Sequence, residues 1–599
     1  MVSETAFPLS SRRIIRRALV YGALTIAVIC LMTLPSATDY VGADNDDAMR
    51  LVEVRDYLAG QGWFDLMQYR LGPPPGVLMH WSRLIDAPIA LLISLFGLVV
   101  SHGWAEALAL ALWPIALTLP VLAAFGAAGQ AIGGRLTSHA AFLLTGFYLA
   151  FSNRFLPGAI DHHNAQLALV AVLTAVLVVR PGWWGYAGAG IAASLALAVG
   201  AETTPLIAAA CAVVALFWAV EGRAFRAQAI GFSLALALGN TVLYVATVPP
   251  ARYWVVTCDN FSFGYYTLAV FGGASLALAA FLSSARTRGM RWACLAAIGA
   301  LTLGLARWIA PQCLGNPLAN LDPLLVTLWL DKVSEARSIV AFAQTEPDML
   351  GAFYAPALLA LLVCGWRLVR RDRMAFHATM GALLLVSLAI AVVQVRGTMF
   401  SNLLSIPPLA LWITDLRARY LLAKGQFAPA LAYGLAVLCA PSTTWALAGK
   451  LLLRPESIAS PASAANPYGL ASEACHGASA LTPLAALPPT VVSADPDSGS
   501  WLLRFTPHRV LSAPYHRNQA GMLTELKIAR AKPSEAEALL RAAHVGIVAV
   551  CPSVEVARAL PTDDGSGLYA RLAAGDSVSY LTPLPSSGGL KVFLVKPPT

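Results

Sequence analysis

Charged side chains are scarce in this sequence, and their scarcity excludes most classes of soluble protein. Only 12% of the 599 residues are Asp, Glu, Lys or Arg, whereas 58% are hydrophobic and the mean hydropathy is +0.66. A soluble domain carries about a quarter charged residues. The sequence also lacks an internal repeat of fixed period and a heptad pattern. The composition therefore predicts a polytopic α-helical membrane protein.

Acidic residues are fewer than basic ones, and the formal net charge is +9. The excess does not indicate a nucleic-acid ligand, because most arginines stand in short clusters between apolar stretches, as at 286–291 and 367–373. Such clusters are typical of cytoplasmic loops. We therefore expect no nucleic-acid partner and a multi-pass chain in a bacterial inner membrane.

About thirteen apolar segments are predicted to cross the roughly 30 Å of membrane hydrocarbon. They lie near 14–35, 105–131, 136–153, 164–180, 183–200, 203–220, 227–248, 264–283, 292–309, 353–366, 376–395, 398–414 and 428–449. With a cytoplasmic N-terminus, every loop predicted on the cytoplasmic side contains arginine. The segment 84–100 is also apolar, but a span there would reverse every later loop, so we expect it to lie on the outer membrane surface.

These spans divide the chain into three parts. Residues 1–452 are the predicted transmembrane domain, with a large external loop at 36–104, and residues 453–470 are a linker rich in Ser, Ala and Pro. Residues 471–599 are a small periplasmic α/β domain, with strands predicted at 490–494, 509–512, 546–550 and 592–595 and a helix at 534–543. The Arg-rich start of the chain and its first apolar run fit either a signal peptide or a retained span, and we favour the span.

Cysteine is infrequent, and none of the nine has metal-ligand spacing. Five of them fall in apolar runs, as expected of small core residues. Cys258 and Cys313 lie in two predicted external loops, and Cys475 and Cys551 lie in the tail. In an oxidising compartment each pair either forms a disulfide or remains free.

Two polar clusters stand at predicted external ends of spans. The first contains Asp44, Asp46 and Asp47, and such closely spaced carboxylates indicate either a site for a hard divalent cation or a solvated acidic loop. The second contains Asp161 and His163, two residues apart, which can reach one metal from a short loop. Ionisable groups at a span entrance are costly and are usually functional or paired.

Other polar and aromatic side chains are candidate substrate contacts. His162 is either a ligand or a helix cap, and Trp81 is either part of an aromatic wall against a sugar or a membrane-interface anchor. The tail has a polar and aromatic run beside a predicted strand end, which is a candidate contact with donor or acceptor. The run begins with Tyr515, His516 and Arg517.

The order of these motifs resembles the catalytic subunit of oligosaccharyltransferase in its bacterial and archaeal single-subunit forms, a glycosyltransferase of the GT-C type. Asp46 stands at the position of that family's catalytic aspartate. The run from Asp161 to His163 resembles the second motif in its archaeal form, seven residues after Arg154. The resemblance implies that Asp46, Asp161 and His163 bind a divalent metal, Mn²⁺ or Mg²⁺. Gln166 stands where archaeal members often have Glu.

The resemblance extends, more weakly, to the rest of the chain. It implies that Glu335 holds the acceptor, since Lys332-Val333-Ser334-Glu335 is the nearest counterpart of a Thr/Ser-Ile-x-Glu motif. It also implies that Arg396 grips the phosphate of the lipid-linked donor. In the tail, the segment 491–499 stands where the family has Trp-Trp-Asp-Tyr-Gly, and only Asp497 and Gly499 agree. In the family that signature reads the Ser/Thr of the glycosylation sequon, so its loss argues against asparagine-linked transfer and leaves the donor side intact.

The sequence therefore predicts a GT-C glycosyltransferase that transfers a sugar or oligosaccharide from a polyprenyl-(pyro)phosphate donor to a periplasmic glycan, lipid or protein acceptor. Asp46 and Glu335 are its predicted catalytic residues, with Asp47, His162 and Arg154 as further candidate substrate contacts. The alternatives are a transporter or flippase of lipid-linked sugars and a non-catalytic binder of them. Transporters place ionisable groups near mid-membrane, whereas these clusters lie in external loops.

Overall fold

The computed structural model describes residues 11–316, 318–423, 425–453, 473–552, 567–585 and 589–597. The predicted linker lies outside these residues, apart from its first position. Helices dominate the described part of the chain up to residue 453. The long ones are Ser11–Thr33, His102–Phe151, His163–Val179, Trp183–Val199, Thr204–Glu221, Arg226–Thr247, Phe263–Ser283, Arg288–Ile309, Leu350–Val369, Met374–Val393 and Thr398–Leu422.

Among the described residues, seven helical stretches are long and apolar enough to cross a membrane, or eight if the bent pair Phe427–Cys439 and Ser442–Leu453 is one span. His102–Phe151 has 50 residues, so at 1.5 Å per residue it is about two and a half times as long as the hydrocarbon is thick. It breaks at Gly134, whose φ of 79° lies in the left-handed region. The break falls between two predicted spans. The count of thirteen nevertheless stays a prediction.

The segment predicted to lie along the outer membrane surface forms the helix Arg83–Phe96. Its 14 residues extend for about 21 Å, which is less than the hydrocarbon thickness. Ile85 and Ile89 are buried on one face, whereas Leu91 and Leu95 are more than half exposed on the other. An apolar face without a protein partner suits a helix that lies on lipid.

Residues 36–104 also hold the helix Asn45–Leu58, which carries the first acidic cluster. Asp44 caps this helix by accepting the N–H of Asp46. The guanidinium of Arg50 is fully buried, 2.9 Å from an Asp86 oxygen and 4.3 Å above the ring of Trp81. The contact with Asp86 fixes the second turn of the helix against Arg83–Phe96.

Two short strands of the first external loop pair antiparallel, β1 (Met67–Gln68) and β2 (Val77–Leu78). The tail strands are β3 (Val491–Ser493), β4 (Arg509–Val510), β5 (Val545–Val550), β6 (Leu581–Leu584) and β7 (Lys591–Val595). They form a five-stranded mixed sheet in the order β4-β3-β5-β7-β6. Four of them agree with the predicted strands, and the edge strand β6 was not predicted. The predicted helix 534–543 is Pro533–Ala542. Of the two alternatives left open for each external cysteine pair, the structure shows the disulfide, both for Cys258–Cys313 and for Cys475–Cys551.

The tail packs directly on the first external loop. Arg504 of the helix Pro496–Phe505 forms an ion pair with Asp39. Val510 of β4 donates its N–H to the carbonyl of Arg70 at 2.8 Å, and the Val510 carbonyl accepts from Gly72 at 2.8 Å. The tail is therefore held by backbone pairing as well as by charge, next to the first acidic cluster.

Candidate active site

Asp47 connects the two predicted metal motifs. One oxygen of its buried carboxylate accepts the backbone N–H of Ile160 at 2.7 Å and that of Asp161 at 2.9 Å. Backbone hydrogen bonds to a charged acceptor are among the stronger ones in proteins. Asp47, a predicted substrate contact, is therefore engaged in holding the second motif against the first.

Asp161, His162 and His163 form one buried cluster at the entrance of the helix His163–Val179. Each of them offers a ligand atom, and the three atoms lie within 4.8 Å of one another. His162 Nδ1 is 2.5 Å from one oxygen of Asp161, and its Nε2 is 3.5 Å from Glu202. His162 makes no side-chain cap of the helix. The helix-cap interpretation of His162 is therefore not met, and its role as a ligand stays a prediction.

The tautomer of His163 follows from its neighbours. The Gln166 amide donates to Glu202 Oε2 at 3.0 Å, so its carbonyl oxygen faces His163 Nδ1, also at 3.0 Å. That oxygen can only accept, so Nδ1 carries the proton and the lone pair of Nε2 is free. Nε2 lies 3.4 Å from the second oxygen of Asp161, which is buried and accepts no hydrogen bond. Two electron-pair donors thus face each other.

Glu202 is a site residue that the sequence analysis missed. It is the only charged residue between Arg180 and Glu221. The predicted topology puts it on the same side as Asp161, because it ends the next outward span. A lone carboxylate at such a position was itself a signal. Gln166, which stands where relatives often have Glu, joins Glu202 to the cluster.

The carboxylates of the first motif repel one another. Burial, reinforced by Asp44 and Asp161, raises the pKa of Asp46 well above its ordinary value. Burial would also raise the pKa of Asp161, but the imidazoles of His162 and His163 outweigh it and hold that pKa well below the usual range. Asp46 is outside the 4.8 Å group but lies close enough for its charge to act on it. A divalent cation would relieve this repulsion.

Arg154 links the first acidic cluster to the external loop near residue 335. Its guanidinium lies 3.2 Å from Asp44 and 3.1 Å from Glu335. Burial would raise the pKa of Glu335, but Arg154 outweighs it, so that pKa is lowered and Glu335 is ionised at neutral pH. The structure thus brings Glu335 to the site from a distant loop and pairs Arg154 with carboxylates instead of leaving it open to substrate.

Arg396 lies at the end of the helix Met374–Val393, half-buried. Its Nε donates to the side-chain oxygen of Gln394 at 3.0 Å, and among the described residues its guanidinium makes no ion pair. Its charge acts on both Glu202 and Glu335. A guanidinium without a carboxylate partner at the edge of the cluster can still receive an anion.

The predicted aromatic and tail contacts are mostly occupied by protein. Trp81 is only 4% exposed, packed between Arg50 and the ring of Tyr515, so it has no free face for a sugar and the expected aromatic wall is not formed. Tyr515 is buried and donates to the Asn45 carbonyl at 3.2 Å. His516 and Arg517 do not face the cluster either, because both contact Asp259 at 2.7 Å.

The segment where the resemblance places the tail signature does reach the first motif. Asp497 accepts a hydrogen bond from the Asn45 amide at 3.2 Å. Burial, with the nearby carboxylates of Asp495 and Asp44, raises the pKa of Asp497 to about 7. A carboxyl group from the tail therefore contacts Asn45, the residue that precedes Asp46 in the sequence.

The fold of the chain is similar to that of an archaeal enzyme in solved structures. The structure of the Archaeoglobus fulgidus oligosaccharyltransferase AglB with an inhibitory peptide and a dolichol-phosphate aligns with a TM-score of 0.62 at 15% identity, over 94% of this chain and 72% of that one. The structure of the same enzyme with Zn and sulfate aligns with a TM-score of 0.59 at 14% identity, over 97% and 72%. The chain has the oligosaccharyltransferase fold. No protein-family model and no curated protein sequence matches it.

The likeness to AglB confirms the predicted resemblance at the level of the fold, and it extends beyond the membrane helices. Since 94% of the chain is covered, the external loop and the tail take part in it. The individual site residues stay predictions, because at 15% identity the likeness shows the fold alone.

Proposed function

We propose that this protein is a membrane glycosyltransferase of the GT-C type that takes a sugar or oligosaccharide from a polyprenyl-(pyro)phosphate donor. The observation that carries the proposal is the pair formed by Asp161 and His163. A buried carboxylate oxygen without a hydrogen bond and an imidazole lone pair face each other at 3.4 Å. Such a pair is unfavourable unless a cation or a proton lies between its members.

The residues fit a divalent metal. Asp161 and His163 would supply one oxygen and one nitrogen. Asp46, outside that group, would supply a further carboxylate whose neighbours are also negative. Gln166 fixes the imidazole by accepting from Nδ1, as outer partners of metal-bound histidine commonly do. Mn²⁺ or Mg²⁺ held there would neutralise the phosphate that leaves the anomeric carbon. The AglB structure with Zn and sulfate is consistent with a metal at this fold.

The remaining charged groups of the site would bind and orient the substrates. Arg396, held by Gln394, would form the charge-assisted contact with the donor phosphate. Glu335 is ionised and held by Arg154, so it is suited to accept a hydrogen bond from the acceptor and to orient it. The dolichol-phosphate in an AglB structure supports a lipid phosphate as the donor in this fold.

We place the site on the periplasmic side of a bacterial inner membrane, with the tail domain there as well. The acceptor is a glycan, a lipid or a protein. Both tryptophans and the tyrosine expected beside Asp497 are missing, so the part of the fold that would read a peptide acceptor differs in this chain. This difference argues against an asparagine sequon as the acceptor and leaves the donor side intact.

The test is transfer by the full chain in detergent, from a polyprenyl-phosphate-linked radiolabelled sugar into an extract of the host's envelope. Release of the lipid carrier is measured along with incorporation, so that the readout does not depend on the acceptor. We expect EDTA to abolish release and Mn²⁺ or Mg²⁺ to restore it. Asp46→Asn and His163→Gln should lower release about a hundredfold or more, because a Lewis acid supplies several kcal/mol of barrier lowering.

Asp576→Asn is the matched control, since Asp576 is 44% exposed and pairs with Arg571 in the tail, outside the site. It should release carrier at the wild-type rate. Equal activity of wild type and Asp46→Asn would refute the proposed mechanism. Activity that survives EDTA and every one of these substitutions would refute metal dependence.

A further inference from the structure

A second group of ligand-type side chains lies outside the candidate active site. His80, Asp259 and His516 each offer an atom, and the three atoms lie within 4.8 Å of one another. They come from three separate segments: the first external loop, the loop before the helix Phe263–Ser283, and the tail. Since 436 residues separate the first from the last in sequence, the tertiary fold alone brings them together.

The geometry of this group suits a metal. His516 Nε2 lies 2.7 Å from Asp259 Oδ2, and the rings of His80 and His516 are 4.9 Å apart. His80 Nδ1 is buried and has no hydrogen-bond partner among the described residues. Leaving a buried polar nitrogen without a partner is unfavourable, so the protein gains if something binds it.

Arg517 holds the group in place. Its Nε and Nη2 donate to the two oxygens of Asp259 at 2.7 and 2.8 Å, and its Nη1 donates to the carbonyls of Leu78 and Met79, both at 3.2 Å. The last of these carbonyls immediately precedes His80. Arg517 thus fixes the carboxylate and the backbone beside one imidazole, as outer-shell partners fix ligands in metal sites.

A disulfide restrains this place on one side, and a cavity lies on the other. Cys258, next to Asp259, is joined to Cys313 by a disulfide, so the loop that carries the carboxylate is cross-linked. His80 and Arg517 also border a cavity of about 40 Å³, which leaves room for a water molecule as a further ligand. A cluster that is cross-linked on one side and open to solvent on the other can lose or gain an ion without unfolding.

We propose that His80, Asp259 and His516 form a second metal site, specific for a borderline transition metal of the Zn²⁺ class, that fastens the tail to the membrane domain. Two imidazoles and one carboxylate favour Zn²⁺ over Mg²⁺, which prefers oxygen ligands. An ion there replaces the hydrogen bond between His516 and Asp259 with two ligand bonds and adds one to His80. The site is independent of sugar transfer.

The test is a Co²⁺ titration of the metal-free full chain in detergent, followed by visible absorbance, with Zn²⁺ as the competitor. The His80→Gln variant should bind one equivalent of Co²⁺ less than the wild type. The His516→Gln variant should lack the same equivalent. The loss should also occur in an Asp161→Asn, His163→Gln background, which removes the proposed catalytic ion. If the proposed catalytic site binds no metal, every variant with that site intact binds one Co²⁺ ion fewer. The difference of one equivalent caused by His80→Gln or His516→Gln is then unchanged.

His102→Gln is the matched control, because His102 is 75% exposed and lies outside both clusters. It should bind as many Co²⁺ ions as the wild type. His516→Cys keeps a ligand for Zn²⁺, so it should retain the equivalent and add a sulfur-to-cobalt charge-transfer band. The band also reports binding directly if the glutamine variants prove unstable. Unchanged stoichiometry in His80→Gln and His516→Gln, or no such band in His516→Cys, would overturn the proposal.

Discussion

The half-buried carboxyl of Asp497 makes stability depend on pH in a way that one substitution should remove. Burial and nearby carboxylates raise its pKa from 3.8 to about 7, so the folded chain holds a proton that the unfolded chain has already lost. A group of this kind leaves stability intact below about pH 4 and lowers it as the pH rises to about 7. At higher pH the folded state carries a half-buried charge next to Asp495 and Asp44.

The magnitude follows from the shift. Each pKa unit is worth about 1.36 kcal/mol, so the full shift corresponds to an upper bound of about 4 kcal/mol, of which about 3 kcal/mol develops between pH 5 and pH 8. Asp497→Asn mimics the protonated group and keeps an oxygen for the Asn45 amide. The variant should therefore unfold like the wild type to within about 2 kcal/mol at pH 5 and be clearly more stable at pH 8.

Thermal unfolding of the purified protein in detergent at pH 5 and pH 8 measures this effect. The gap between the melting temperatures of variant and wild type should widen by up to roughly 5–10 °C at pH 8, at a few degrees per kcal/mol. Asp576→Asn removes an exposed carboxylate of the same domain and should follow the wild type at both pH values. A constant gap between Asp497→Asn and the wild type at the two pH values would refute the assigned pKa.

Two further substitutions test how the site is held. Asp47→Ala leaves the buried N–H groups of Ile160 and Asp161 without an acceptor, so it should lower the free energy of unfolding by about 2–6 kcal/mol. Asp47→Asn keeps one oxygen acceptor and should cost less; equal losses in chemical denaturation would contradict the assignment. Arg396→Lys loses the planar fork for phosphate, so the KM for the lipid donor should rise about tenfold in steady-state assays, and an unchanged KM would exclude the contact.

Most of the tail sheet could be predicted from local sequence patterns. The run Val545–Val550 is apolar and β-branched, and it forms the central strand of the sheet. The strand Leu581–Leu584 escaped prediction because Pro583 interrupts it. Proline is tolerated only at a sheet edge or a bulge, and this strand is an edge, which a sequence pattern alone does not reveal.

In the candidate site, too, local patterns predicted some residues, whereas others depend on the tertiary structure. Asp161 and His163 were found because two residues of spacing put them at one helix entrance. Glu202 reaches His162 only because the helices His163–Val179 and Trp183–Val199 pack against each other and return the chain to the same side. Gln166 looked like a lost ligand, whereas in the structure it joins His163 to Glu202.

The tail run at Tyr515 shows why polar residues beside a strand are hard to interpret from sequence. In a chain so poor in charge, a buried or half-buried ion is either paired within the protein or directed at a ligand. Arg517 and Arg396 look alike in sequence, as polar residues at the end of an apolar stretch. Arg517 is paired with Asp259, 258 residues away, whereas Arg396 has no carboxylate partner among the described residues. Pairing decides which arginine can still bind a phosphate, and it depends on contacts that only the tertiary structure provides.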